Sequence, residues 1–204
     1  MHTAGNVIAG IDEAGRGPLA GPVVAAVVVL GAGQSIAGVR DSKLMTPGQR
    51  AAAARRIRAE ALAWAIGEAS REEIDDINIL QATLLAMQRA FAGLAVPPPA
   101  VEVDGNRAPV LPGYTGRIAT VVEGDRLRPA IAAASVLAKV HRDAIMDDLD
   151  ARYPGYGFLQ HRGYGTAAHR AALASLGPCP EHRRSFAPVR ALVSVTLQDA
   201  EARA

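Results

Sequence analysis

A chain of 204 residues, half of them hydrophobic, is long enough to bury a core without a metal or disulfide staple and too apolar to be mostly disordered. Cys179 is the single cysteine, which excludes an internal disulfide and favours a reducing compartment. The net charge of +2, from 22 basic and 20 acidic residues, points to no partner by itself. We expect a cytoplasmic protein with no membrane attachment, because no secretory leader opens the chain and its longest apolar run, Pro22 to Leu30, cannot cross a bilayer.

Val7 to Ile11 is a short apolar run ending in Asp12 and Glu13, and Gly15-Arg16-Gly17-Pro18 then makes a turn. Val23 to Leu30, rich in β-branched valine, reads as the second strand of a pair. Thr46 followed by Pro47 is a helix cap with proline at the first helical position, and alanine and arginine carry that helix to about Leu62. Trp64 to Ala69 is a candidate strand. A second helix is expected from about Asn78 to Ala92, where apolar residues recur on one face and Gly93 stops it. After Pro97–Pro99, Val101 to Val103 is a strand delivering Asp104, and Ile118 to Val122 is another, with Asp125 three residues on. Pro129 opens a helix to about Ala151, closed by Pro154. Beyond it the chain reads as helix and loop, with Thr166 a cap and Gly177 a terminator. The alternation of strands and helices argues for an α/β or α+β layer fold. Trp64 and Met87 are expected in the core. Asp75, Asp76, Asp147, Asp148 and Asp150 are expected on solvated helix surfaces or in turns.

Three strand ends thus finish in acids: Asp12 with Glu13, Asp104, and Asp125. Residues beyond the carboxyl ends of strands converge at one edge of an α/β sheet, the usual place for a site. Gathered carboxylates repel one another, and a hard divalent cation, Mg²⁺ or Mn²⁺, relieves that conflict where no cysteine or histidine partner points to zinc. Such ions serve phosphodiester hydrolysis. Aspartate also favours turns, so residue types and spacing alone leave both readings open. Gly15, Arg16 and Gly17 can present backbone N–H groups to a phosphate or hydroxyl, or simply form a tight turn. Lys43 and Lys139 are candidate phosphate contacts, with Ser42 and Ser135 as hydroxyl donors, and Tyr164 can stack on a sugar or base. The segment from His161 to Arg190 is basic, with five arginines and three histidines against Glu181 alone.

Together these blocks resemble the bacterial type 2 ribonuclease H family, ribonuclease HII. The match runs through Ala9 to Val23, Asp41-Ser42-Lys43, Asp104-Gly105-Asn106, Gly124-Asp125, Ala133 to Val140, and Tyr156 to Tyr164, in the family's order. The resemblance implies a ribonuclease H-like fold: a mixed five-stranded sheet flanked by helices, in one domain over 1–204, with about 155–195 a carboxyl-terminal helical region packed on the catalytic core. It implies a nuclease that cuts the RNA strand of RNA–DNA hybrids and incises 5′ of ribonucleotides embedded in duplex DNA, leaving 3′-hydroxyl and 5′-phosphate ends. The family's acids fall on Asp12, Glu13, Asp104 and Asp125, as catalytic residues and as ligands of Mg²⁺ or Mn²⁺. One ion, held by Asp12 with Asp104 or Asp125, would activate water, and a second near Asp12 and Glu13 would stabilise the leaving oxygen. Substrate contacts fall on Gly15, Arg16, Gly17, Lys43, Ser135, Lys139 and Tyr164. The glycine–arginine–glycine turn reads the ribose 2′-hydroxyl, and the tyrosine packs on the following deoxyribose.

The sequence departs from the family pattern at Leu44, where a second lysine is frequent, at Ala130 and Ala132 in the long helix, and at Gly165 after the tyrosine. None of these removes a proposed ligand. The partners implied are RNA–DNA hybrids and ribonucleotide-containing duplex DNA. A monomer without an obligate protein partner is expected, and no clamp-binding peptide is evident after Val189. The competing readings are another ribonuclease H-like nuclease and a non-catalytic nucleic-acid-binding protein. Motif order opposes the first, as does the early position of Asp12, which leaves no room for an extra amino-terminal domain. The intact acid set opposes the second.

Overall fold

Eight consecutive apolar residues need cover on both faces, and Val23–Leu30 finds it as a strand buried at every position. The computed structural model describes residues 7–39 and 42–192, so Asp41 of the aspartate–serine–lysine motif and the tail beyond Leu192 lie outside the described residues. The strands are β1 (Ile8–Ala14), β2 (Val23–Leu30), β3 (Ala63–Ala69), β4 (Ala100–Asp104) and β5 (Arg117–Val121). They form one mixed sheet in the order β3-β2-β1-β4-β5. β2 is antiparallel to β1, whereas β1, β4 and β5 run parallel. The helices are α1 (Pro47–Glu60), α2 (Arg71–Ala92), α3 (Gly124–Leu127), α4 (Pro129–Arg152), α5 (Phe158–His161) and α6 (Ala167–Leu176).

The described chain divides into two compact units. One comprises the residues up to Ala14, Val24–Glu68 and Thr83–His141; the other comprises Gly15–Val23, Ala69–Ala82 and the chain from Arg142. In the first, helix and sheet approach through glycines. A β-carbon at Gly10 would lie 2.2 Å from main-chain atoms of Ala130 and Ile131 in α4, and one at Gly67 would lie 2.3 Å from main-chain atoms of α2. Thr46 opens α1 as the sequence predicts, with reciprocal hydrogen bonds to Gln49. Trp64 differs from expectation. It stands on a strand with an open face, is 38% exposed, and is covered by the Arg58 guanidinium 5.5 Å from its ring.

α2 begins at Arg71 rather than Asn78. Ser70 and Glu73 cap its start reciprocally, and Asn78 interrupts it with φ 67° while its side chain accepts from the N–H groups of Leu80 and Gln81. The expected helix start is therefore a second, internal cap.

In the second unit a core forms around Leu19, Met146, Leu149, Tyr156, Phe158, Leu173 and Val189. Thr166 caps α6 and Gly177 ends it, as the sequence predicts. Asp75 is no solvated surface residue. It accepts from Arg184 N at 2.9 Å, Ser185 N at 2.8 Å and Ser185 Oγ at 2.6 Å. Asp147 pairs with Arg162, and Asp150 accepts from Leu159 N at 3.1 Å. Among the described residues, no helix is long and apolar enough to cross a membrane.

Candidate active site

The parallel strands of the first unit end at one sheet edge. Register pairs Ile11 with Val103, so the residues that follow on these strands, Asp12 and Asp104, are neighbours. On the other side Asp12 pairs with Ala26 and Glu13 with Ala25, both small residues. Past β5 the chain turns at Glu123, in a left-handed conformation with φ 54°, into the short α3. Asp104 Oδ1 accepts from Gly124 N at 2.7 Å and thereby anchors α3, whose first turn carries Asp125. Gly124 lets this turn sit close to α4: an added β-carbon would lie 2.6 Å from Ile131 Cδ1, which would have to shift. Asp12 and Asp125 are both only 5% exposed.

Burial pushes the Asp12 carboxyl well above its usual value. The charges of Glu13 and Asp104 push the same way, and hydrogen bonds from Ser135 and from Glu13 N, at 2.7 Å, offset this only in part. Ser135, on α4, also shares a 3.0 Å hydrogen bond with the buried Ser42 hydroxyl. Lys139 follows one turn later on the same helix. Lys43 Nζ lies 3.1 Å from Asp125 Oδ2, a cation already seated on one acid. Among the described residues, no three histidine, cysteine or acidic side chains form a ready-made metal cage.

The remaining sequence-predicted residues belong to the second unit. Gly15 has φ +97°, and a β-carbon there would strike Arg142 Nε at 2.1 Å, so glycine is required on both counts. Gly17 lies under Tyr164, where an added β-carbon would be 3.5 Å from Cε1 of the ring. The turn and the tyrosine are therefore brought together, with Arg16, Gly17 and Tyr164 all exposed. A chain of imidazoles backs the tyrosine. Cys179 N donates to His182 Nδ1 at 3.0 Å, which leaves the His182 Nε2 proton to donate to His169 Nε2 at 3.0 Å. His169 Nδ1 then donates to Tyr164 O at 3.0 Å.

The family model for ribonuclease HII matches residues 9–189. The chain belongs to the ribonuclease HII family. It is 57% identical to the ribonuclease HII of Bordetella pertussis over 91% of this chain and 90% of that one. It is also 57% identical to that of Thiobacillus denitrificans, over 96% and 95%. Among solved structures, the ribonuclease H2 of Pyrococcus horikoshii superposes with a TM-score of 0.77 at 26% identity, covering 94% of this chain and 99% of that one. The mixed five-stranded sheet is the fold expected of a ribonuclease HII.

For this ribonuclease HII chain, sequence reasoning missed several residues that shape the site. Gly10 and Gly124 set helix against sheet and carry no local signal beyond being glycine. Arg183, one of the five arginines counted in the basic segment, is wholly buried, as is Arg142. Their type conceals this, because arginine is seldom buried without a carboxylate.

Proposed function

We propose that this ribonuclease H cuts the RNA strand of RNA–DNA duplexes and incises 5′ of single ribonucleotides in duplex DNA, leaving 3′-hydroxyl and 5′-phosphate ends. The observation that carries the reading is the Asp12 carboxylate: nearly buried, pressed by Glu13 and Asp104, and held in place by Ser135. A buried acid crowded by like charge is costly unless a cation completes it. The all-oxygen donor set fits a hard divalent ion. A hard divalent ion of this kind keeps waters and takes further ligands from a substrate phosphate. Mg²⁺ or Mn²⁺ held by Asp12, Glu13, Asp104 and Asp125 would supply the positive charge that favours ionised water and a leaving O3′.

The chain's own side chains fix where that happens. Ser42 and Ser135 lock the Asp12 rotamer, and Asp104 is held by the Gly124 N–H so that α3 presents Asp125. Lys43, on Asp125, is placed to release that carboxylate to an incoming ion and turn to a phosphate oxygen; Lys139 serves the same backbone. The backbone of Gly15, Arg16 and Gly17 reads the ribose 2′-hydroxyl, which alone distinguishes RNA from DNA at the sugar. Tyr164 stacks on the deoxyribose that follows. Asp12→Asn keeps the shape and removes the charge, so it should abolish turnover with Mg²⁺ or Mn²⁺ while leaving a folded protein of equal or higher melting temperature. Metal-dependent cleavage by that variant at the wild-type rate would overturn the assignment.

A further inference from the structure

Arg183 lies in the second unit with no exposed surface, and every hydrogen bond it makes ends on a main-chain carbonyl. Its Nη2 donates to Gly15 O at 2.6 Å and to Pro22 O at 3.1 Å. Its Nη1 donates to Arg16 O at 3.0 Å, and its Nε to Gly21 O at 2.9 Å. One planar fork therefore ties both ends of the Gly15–Pro22 segment. Arg142 repeats the pattern from α4, donating to Ala20 O, Pro22 O and Arg162 O at 3.0–3.1 Å. Asp75 acts on Arg183 and Asp143 on Arg142 only through their charge; burying two guanidiniums whose hydrogen bonds all end on main-chain dipoles is expensive, which calls for an explanation beyond packing.

The peptide geometry provides one. In a trans peptide the C=O of one residue and the N–H of the next point in opposite directions. Drawing the carbonyls of Gly15 and Arg16 toward Arg183 turns the N–H groups of Arg16 and Gly17 the other way. We propose that Arg183 is the positioning residue for ribonucleotide recognition: by holding the Gly15 and Arg16 carbonyls it aims the Arg16 and Gly17 amides at the sugar 2′-oxygen. This rests on the proposed reading of the 2′-hydroxyl by that turn. Lysine cannot substitute, because a single ammonium lacks the fork that reaches four carbonyls at once. Burial, with the nearby Arg142 charge, pushes Arg183 down to about 9, so the fork stays protonated at neutral pH. Phe186 supports the guanidinium from 5.1 Å.

The test compares kcat/KM on a duplex carrying one ribonucleotide with the inhibition constant of the matched all-DNA duplex, which competes through contacts that need no 2′-hydroxyl. Arg183→Lys should lower kcat/KM on the ribonucleotide duplex roughly a hundredfold, the effect of an angstrom-scale misplacement. The inhibition constant of the all-DNA duplex should stay at its wild-type value. A purely structural role would weaken both together. Phe186→Leu, which retains Arg183 but loosens it, should shift the same ratio by a smaller factor and serves if the lysine variant does not fold. A wild-type ratio in every variant that folds overturns the inference. Failure of the underlying reading shows separately: wild-type enzyme would then have no preference for the ribonucleotide duplex, and both would fall.

Discussion

A single methyl group at Gly10 tests how the site is built. A β-carbon there would lie 2.2 Å from Ala130 C and Ile131 N and 2.6 Å from Ala130 O, against about 3.4 Å for ordinary contact. All three are main-chain atoms, so no side chain can swing aside, and β1 must part from α4 by roughly 1 Å. Overpacking of this kind costs about 1–3 kcal/mol, and each kcal/mol lowers the melting temperature of a chain this size by about 2–4 °C. Gly10 stands two residues before Asp12, and α4 carries the Ser135 hydroxyl that hydrogen-bonds Asp12. The same displacement should therefore reduce kcat by about 10². Gly48, with nothing near its β-carbon position, is the control, and Gly48→Ala should preserve or raise stability. Thermal unfolding with steady-state cleavage of a ribonucleotide-containing duplex reads both effects. Wild-type melting and wild-type kcat in Gly10→Ala would show that the close approach of β1 and α4 does not set the site.

Two further expectations concern the second unit. Burial, with the neighbouring His169, pushes His182 down to about 4 from its usual 6.5. It is neutral in both states above pH 6.5, and below that the unfolded chain takes up a proton the folded one refuses. Stability should fall as pH drops from about 6.5 toward 4, by at most about 3 kcal/mol from this group. Urea unfolding across that range should show a shallower slope for His182→Gln, and equal slopes would contradict the burial argument. For Asp75, burial is outweighed by hydrogen bonds from Ser185 and Arg184 and by the Arg71 charge, which hold its carboxyl below the usual value. Asp75→Ala removes the acceptor of these hydrogen bonds and should cost about 0.5–1.5 kcal/mol, the net worth of an ordinary hydrogen bond, since water can reach the donors; an unchanged melting temperature would contradict it.

The strands, the caps at Thr46 and Thr166, and the acids at strand ends were legible because each rests on a local signal: β-branched runs, a hydroxyl before proline, a carboxylate after an apolar segment. The first part of α2 was not. Asn78 looks like a helix start and is one, but Ser70 starts another turn before it, and only backbone geometry shows that the two segments join. Trp64 was misplaced because an aromatic in a short strand carries no sign of which face is open. The acids could be found from chemistry, yet their narrowing to a ribonuclease site came from the ordered resemblance. What holds them was hidden in contacts remote in sequence. Gly10 meets Ala130 and Ser42 meets Ser135, each a pairing that no sequence window contains, and within the second unit Arg183 reaches back to Gly15 just as remotely.

Incision at a ribonucleotide is proposed to be the work of the acids around Asp12. Its most direct test uses an end-labelled DNA duplex with one embedded ribonucleotide, beside a matched all-DNA duplex, with Mg²⁺ or Mn²⁺ present. One cut immediately 5′ of the ribonucleotide is expected, with 3′-hydroxyl and 5′-phosphate ends, and none in the control. Cutting of the all-DNA duplex, cutting on the 3′ side, or no cutting with either ion would contradict it.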